Sequence, residues 1–221
     1  MTLPTNTASP PTTTTIPHDY ILLDGSSSMV EKWFPSLDAI DAYVAGIRAE
    51  NIKSQIILHI FDGADREQIA RNEPIENWTP LAQSSIGAHW STTPLYDAIQ
   101  LMGRRLRDLN PPRCSIIIVT DGQENSSTFT SQPQARAVLD WCRAKGWHVT
   151  FIGATFNNES QAQLLGANAA AAIGVETRLL SDAARSLAKK RARYGLYGEP
   201  MHFSDDERSQ FGGYLAGPST P

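Results

Sequence analysis

Charge is sparse and cysteine almost missing in this 221-residue chain: 19% of residues are Asp, Glu, Lys or Arg, and the only thiols are Cys114 and Cys142. Neither cysteine sits in a CxxC or Cys/His ligand spacing, which argues against a structural zinc and a disulfide scaffold and makes a reducing cytoplasm the expected compartment. Lys and Arg number 19 against 23 Asp and Glu, a formal net charge of −4. The basic excess of a nucleic-acid coat is therefore missing, and no nucleic-acid partner is expected. No apolar run approaches bilayer length, so no membrane partner is expected either. The first residues offer neither a cationic start nor an apolar stretch, so no secretory leader is expected. Walker-type and G-x-G-x-x-G phosphate loops and the G-x-S-x-G nucleophile elbow are absent as well.

What is there is a patterned middle between two biased ends. Residues 1–17 (MTLPTNTASPPTTTTIP) carry no charge and consist largely of Thr and Pro, the composition of a flexible arm. Residues 196–221 mix Gly, Pro and an acidic cluster and read as a tail, with one short helix opened by Ser204. The span 18–195 is left as one domain, long enough to bury a core.

Within that domain, the runs His18–Asp24, Gln55–Phe61, Ser115–Thr120 and His148–Ile152 read as buried strands. Glu67–Arg71 reads as a polar edge strand and Ala169–Ile173 as a weak last one. Between them, helical periodicity predicts a helix capped by Ser36, with Leu37, Ile40, Tyr43, Val44 and Ile47 on one face. Further helices are expected from Thr93–Pro94 to about Asp108, over Pro133–Lys145, over Glu159–Leu165 and over Glu176–Tyr194. This alternation predicts an α/β fold: a Rossmann-like, open, mostly parallel six-stranded sheet with one antiparallel edge strand and helices on both faces. Such sheets bind ligands beyond the carboxyl ends of their strands, where strand order reverses.

Three segments at those ends concentrate oxygen: Asp24-Gly25-Ser26-Ser27-Ser28, Ser91-Thr92-Thr93-Pro94 and Asp121-Gly122-Gln123-Glu124-Asn125. Hydroxyls and carboxylates without soft ligands suit a hard cation such as Mg2+. Asp24-x-Ser26-x-Ser28, Thr93 in TPLYDAI and Asp121 in VTDG, in that order, resemble the metal-ion-dependent adhesion site of von Willebrand factor type A domains. The likeness covers roughly residues 18–175 and is nearest to bacterial, cytoplasmic-type members. It departs from the family at His89-Trp90-Ser91-Thr92, where a Gly-rich lead into the threonine is common.

The resemblance implies that Ser26, Ser28 and Thr93 ligate Mg2+ (or Mn2+ or Ca2+) through their hydroxyls, with Asp24 and Asp121 reaching it directly or through water. It also implies a protein partner that presents an Asp or Glu, and no catalysis. Phosphoryl transfer from Asp24 would want a second acid two residues on, where Ser26 stands. A second reading stays open: a structural or assembly subunit of a larger complex, in which the metal site is stabilising or vestigial.

Several side chains carry two readings. Thr93 also suits a helix N-cap, and Asp97 suits the first turn of that helix as a dipole-compensating acid. Asp62 and Glu124 are candidates to tune the site, and His89 to stand in its outer shell. His59 and His148 read as structural. Trp33-Phe34-Pro35 either anchors a partner or folds back on its own helix. Arg185, Lys189, Lys190, Arg191 and Arg193 read as a solvated basic face.

Overall fold

The seven residues of β1 (His18–Asp24) are all buried, and the strand is flanked on both sides. In the computed structural model it pairs in parallel with β2 (Gln55–Phe61) and with β4 (Cys114–Thr120). β3 (Gln68–Pro74), half-buried and polar, lies antiparallel on β2 and closes that edge, as its composition predicts. β5 (His148–Gly153) and the short β6 (Ala172–Gly174) extend the other side in parallel, so the order is β3-β2-β1-β4-β5-β6. The structure describes residues 16–64, 68–81, 84, 86–88, 90–153 and 158–212, the side chains of 158–160 excepted. The expected arm up to residue 15, Glu67, His89 and the tail from 213 fall outside them.

Strand alternation sends each strand's side chains to two cores. Ile21, Leu23, Ile117 and Val119 join the core beneath α1 (Trp33–Ala49) and α5 (Leu180–Tyr197), which pack along one another. Tyr20, Leu22, Ile116 and Ile118 join the opposite core, beneath α2 (Leu95–Leu109), α3 (Gln132–Ala144) and α4 (Asn158–Leu164). The fold is therefore the expected α/β one, with helices on both faces. Met201, Phe203 and Phe211 are buried in the first core, so α6 (Asp205–Gln210), capped by Ser204, packs on the domain across the expected boundary at 195.

Three local expectations are corrected. α1 starts at Trp33, not after Ser36, because Pro35 falls in the first turn, where its missing N–H costs nothing, and a 3-10 turn over Ser27–Lys32 runs directly into it. Ser36 is instead buried in the core, its hydroxyl without a hydrogen-bond partner. Pro94 rather than Thr93 stands at the N-cap of α2. Arg191 is not on a solvated face: it is fully buried in a two-pronged ion pair with Asp19, with Nε to Oδ1 at 2.8 Å and Nη2 to Oδ2 at 3.1 Å.

Candidate metal centre

β1 ends at Asp24 and its neighbour β4 ends one residue before Asp121, at the switch point of the sheet. Gly25 then turns the chain away. Its N–H donates to the Phe61 carbonyl at 2.8 Å, and a Cβ there would stand 2.8 Å from the Ala88 methyl, so only glycine lets the loop pass. A bridge between Ser26 and Ser91, with Ser27 N–H donating to the Ser91 carbonyl at 2.9 Å, fastens the first loop to the second. Thr93 N–H donates to Asn125 Oδ1 at 2.9 Å, and Asn125 N–H returns to the Thr93 carbonyl at 3.2 Å, which fastens the second to the third.

Asp24, fully buried, accepts the Ser26 N–H at 2.8 Å and the Thr120 hydroxyl at 2.5 Å. Burial raises its carboxyl to about 6 against those bonds, and the charge of Asp121 pushes the same way. The Ser28 hydroxyl donates to Asp121 Oδ1 at 2.6 Å and lies 3.1 Å from the Ser26 hydroxyl. The Lys32 ammonium donates to the other oxygen of Asp121. Asp24, Ser26 and Thr93 are buried, Asp121 nearly so, and Ser28 is exposed, so the oxygens form a cup with one open side.

Gly122 marks the middle of that cup. A Cβ built on it would meet Thr93 Oγ1 at 3.2 Å, Ser28 Oγ at 3.5 Å and Asp24 Oδ2 at 3.7 Å. Oxygens of the first segment (Asp24, Ser28) and of the second (Thr93) thus face the same small space beside the third, kept clear by its glycine. Among the described residues no cluster of three His, Cys, Asp or Glu side chains gathers anywhere, so hydroxyls would have to complete a cation's shell here. A set of only hydroxyl and carboxylate oxygens is what a hard divalent cation takes, although the Lys32 ammonium already holds one of them. The residues present fit the cation that the resemblance implies.

Other candidates do structural work. Asp97 stands in the first turn of α2 as expected, but it is fully buried and also accepts the N–H groups of Thr128 at 2.8 Å and Phe129 at 3.3 Å, so it anchors a loop as well. Glu124 accepts from Tyr96 N–H, Ser126 N–H and Ser127 N–H at 2.9, 2.8 and 2.6 Å, sewing the third loop to the start of α2. Asp62 is buried and accepts the Ala64 N–H at 2.7 Å, and its Oδ2 would lie 3.5 Å from a Cβ on Gly25. His59 lies 3.1 Å from the Tyr20 hydroxyl inside the sheet. Trp33 is buried edge-on against Trp90, centroids 5.3 Å apart, whereas Val30, Phe34 and Trp90 stay exposed. Trp90 holds a left-handed φ of 55°, uncommon for a bulky residue.

Thr120 and Lys32 are neighbours of the cup that the motif reading passes over, and Asn125, in the third segment, is given no role there. Thr120 was signalled by a hydroxyl directly after the apolar run Ile116–Val119, and Lys32 by standing one helical turn after Ser28.

No protein-family model matches the sequence, and no curated protein matches it either. Solved structures do. Proximal thread matrix protein 1 from the mussel byssus is 14% identical with a TM-score of 0.56, over 80% of this chain and 46% of that one. A von Willebrand factor type A protein from Catenulispora acidiphila is 12% identical with a TM-score of 0.55, over 80% and 43%. The SpaC pilus adhesin from Lactobacillus rhamnosus GG, in its open conformation, is 12% identical with a TM-score of 0.58, over 80% and 30%. This chain spans less than half the length of each. At such identities the likeness concerns architecture, and the architecture is the von Willebrand factor type A fold. Similar structures include a byssus matrix protein and a pilus adhesin.

Proposed function

We propose that this chain is a non-catalytic protein-interaction module that holds Mg2+ or a similar divalent cation at Asp24, Ser26, Ser28, Thr93 and Asp121 and captures an acidic residue of a protein partner. The observation that carries the reading is the space at Gly122 of the third loop, faced by Asp24 and Ser28 oxygens from the first loop and the Thr93 oxygen from the second. The bound cation would supply an electrophilic centre for an external carboxylate, because neutral hydroxyls leave its charge under-compensated. The chain's own residues do the rest. Thr120 and the Ser26 N–H orient the Asp24 carboxylate, and Ser28 orients Asp121. Exposed Val30, Phe34 and Trp90 lie in or beside the segments that carry these oxygens and supply apolar contact for a partner. Similarity of fold to a matrix protein and a pilus adhesin supports interaction rather than turnover. The two buried free thiols suit a reducing compartment, and the cytoplasm is the location we propose.

The Lys32–Asp121 ion pair favours a second reading, an assembly subunit whose site needs no metal. Affinity capture from source lysate, in Mg2+ and in EDTA, separates the two. Under the first reading an acidic partner is retained in Mg2+ and lost in EDTA, and Asp24→Ala abolishes its capture. Gly122→Ala does the same without removing a charge, since its methyl enters the cation's space. Capture that persists in EDTA and in both variants refutes the metal-dependent reading.

A further inference from the structure

Both oxygens of Asp121 are engaged from a single turn. Ser28 donates to Oδ1 at 2.6 Å and the Lys32 ammonium to Oδ2, from positions four residues apart in the 3-10 run Ser27–Lys32. We propose that Lys32 is a tethered cation that occupies this site and sets its divalent-metal affinity, the metal binding only as the ammonium leaves Asp121. The inference rests on the metal-dependent reading above.

Repulsion at Asp121 favours the exchange. With Lys32 docked, the Asp121 carboxylate already holds one positive partner, and a divalent ion bound to the same carboxylate would meet that ammonium across it. Sharing Asp121 between an ammonium and a divalent ion is like-charge crowding at contact distance, in a site whose carboxylate side chain is 2% exposed. Lys32 is also built to leave. Its side chain is 19% exposed, on a flexible four-carbon stem, so the ammonium reaches water by rotation about single bonds. It closes the last turn of the 3-10 run, where a cation is welcome, but it also stands at the N-cap of α1, where it makes no capping hydrogen bond and where lysine is a poor choice. A local rule broken beside a functional cup is the pattern expected when a residue serves the site rather than the helix.

Metal affinity is reduced by the fraction of molecules in which Asp121 is open. The experiment is a calorimetric Mn2+ titration of the full chain, run on wild type, Lys32→Met, Lys32→Arg and Asp121→Ala, each first shown to unfold cooperatively. Lys32→Met is expected to bind Mn2+ at least about tenfold more tightly than wild type, or to bind where wild type shows nothing. Lys32→Arg, which keeps the charge, should stay near wild type, and Asp121→Ala should lose binding. Equal affinity in wild type and Lys32→Met overturns the tethered-cation proposal and leaves the metal site standing. Weaker binding in Lys32→Met overturns it too, since Lys32 would then support the metal. No binding in any variant overturns the metal reading itself, and this proposal with it.

Discussion

Replacing Arg191 by Met removes one half of an ion pair that lies between α5 and the central strand. Arg191 and Asp19 have side chains 1% and 0% exposed, and they meet through two charge-assisted bonds of 2.8 and 3.1 Å. Asp19 additionally accepts the Tyr43 hydroxyl at 2.6 Å and the Ser54 hydroxyl. Methionine fills much of the same volume, so the dominant effect is a buried carboxylate left with two neutral donors. Breaking a pair of this kind costs about 3–5 kcal/mol, which for a chain of this size lowers the melting temperature by roughly 6–20 °C. Removing both charges in Asp19→Asn/Arg191→Met should recover at least half of the loss, because no unpaired charge then remains. Urea unfolding of wild type, both single variants and the double variant, followed by tryptophan fluorescence and far-UV dichroism, gives the full cycle. A cost below about 1 kcal/mol for Arg191→Met, or a double variant that simply sums the singles, refutes the reasoning.

Two further perturbations test other parts of the fold. Gly46 lies where α1 meets α5, and a methyl there would fall 2.6 Å from the Ala188 methyl. Gly46→Ala should therefore cost about 1–3 kcal/mol in urea unfolding, and Ala188→Gly in the same chain should restore much of it. Glu207 fastens α6 to α5. Burial alone would raise its carboxyl above the ordinary 4.5, but bonds from Lys190 (2.8 Å), Ser186 and the Ser204 N–H (2.8 Å) hold it at about 2. A depressed carboxyl stabilises above its unfolded value and loses that contribution as pH falls towards its folded value. Glu207→Gln should thus melt lower than wild type at neutral pH, with the gap closing between pH 4.5 and 2, as thermal scans across that window would reveal.

The oxygens of the cup were legible because each stands at a strand end or helix start that local pattern already marks: Asp24 closing HDYILLD, Thr93 before Pro94, Asp121 after SIIIVT. The polar β3 was legible as an edge for the same reason. What escaped depends on contacts that sequence spacing does not encode. Arg191 belongs to a basic run, and only the packing of α5 on the sheet brings it to Asp19, 172 positions away. Asp97 occupies the first-turn position expected of a dipole-compensating acid, yet the folding of the 125–130 segment over it also makes it a buried acceptor of loop N–H groups. Ser36 has the chemistry of a cap, but Pro35 suits the first turn so well that α1 begins before it. Lys32 lay one turn beyond the motif, and its bond to Asp121 spans 89 positions.

The order β3-β2-β1-β4-β5-β6 has a consequence for how the chain is made. Read in the order of synthesis, β2 joins one flank of β1, β3 the outer side of β2, β4 the free flank of β1, and β5 and β6 follow outward. No strand has to insert between two already paired, so each finds a finished edge waiting as it leaves the ribosome. The segments that form the cup are all complete by Asn125, well before α5 arrives at Leu180 to cover α1 and one face of the sheet. The growing chain can therefore organise its oxygen cup while half of its hydrophobic interior still waits for a lid.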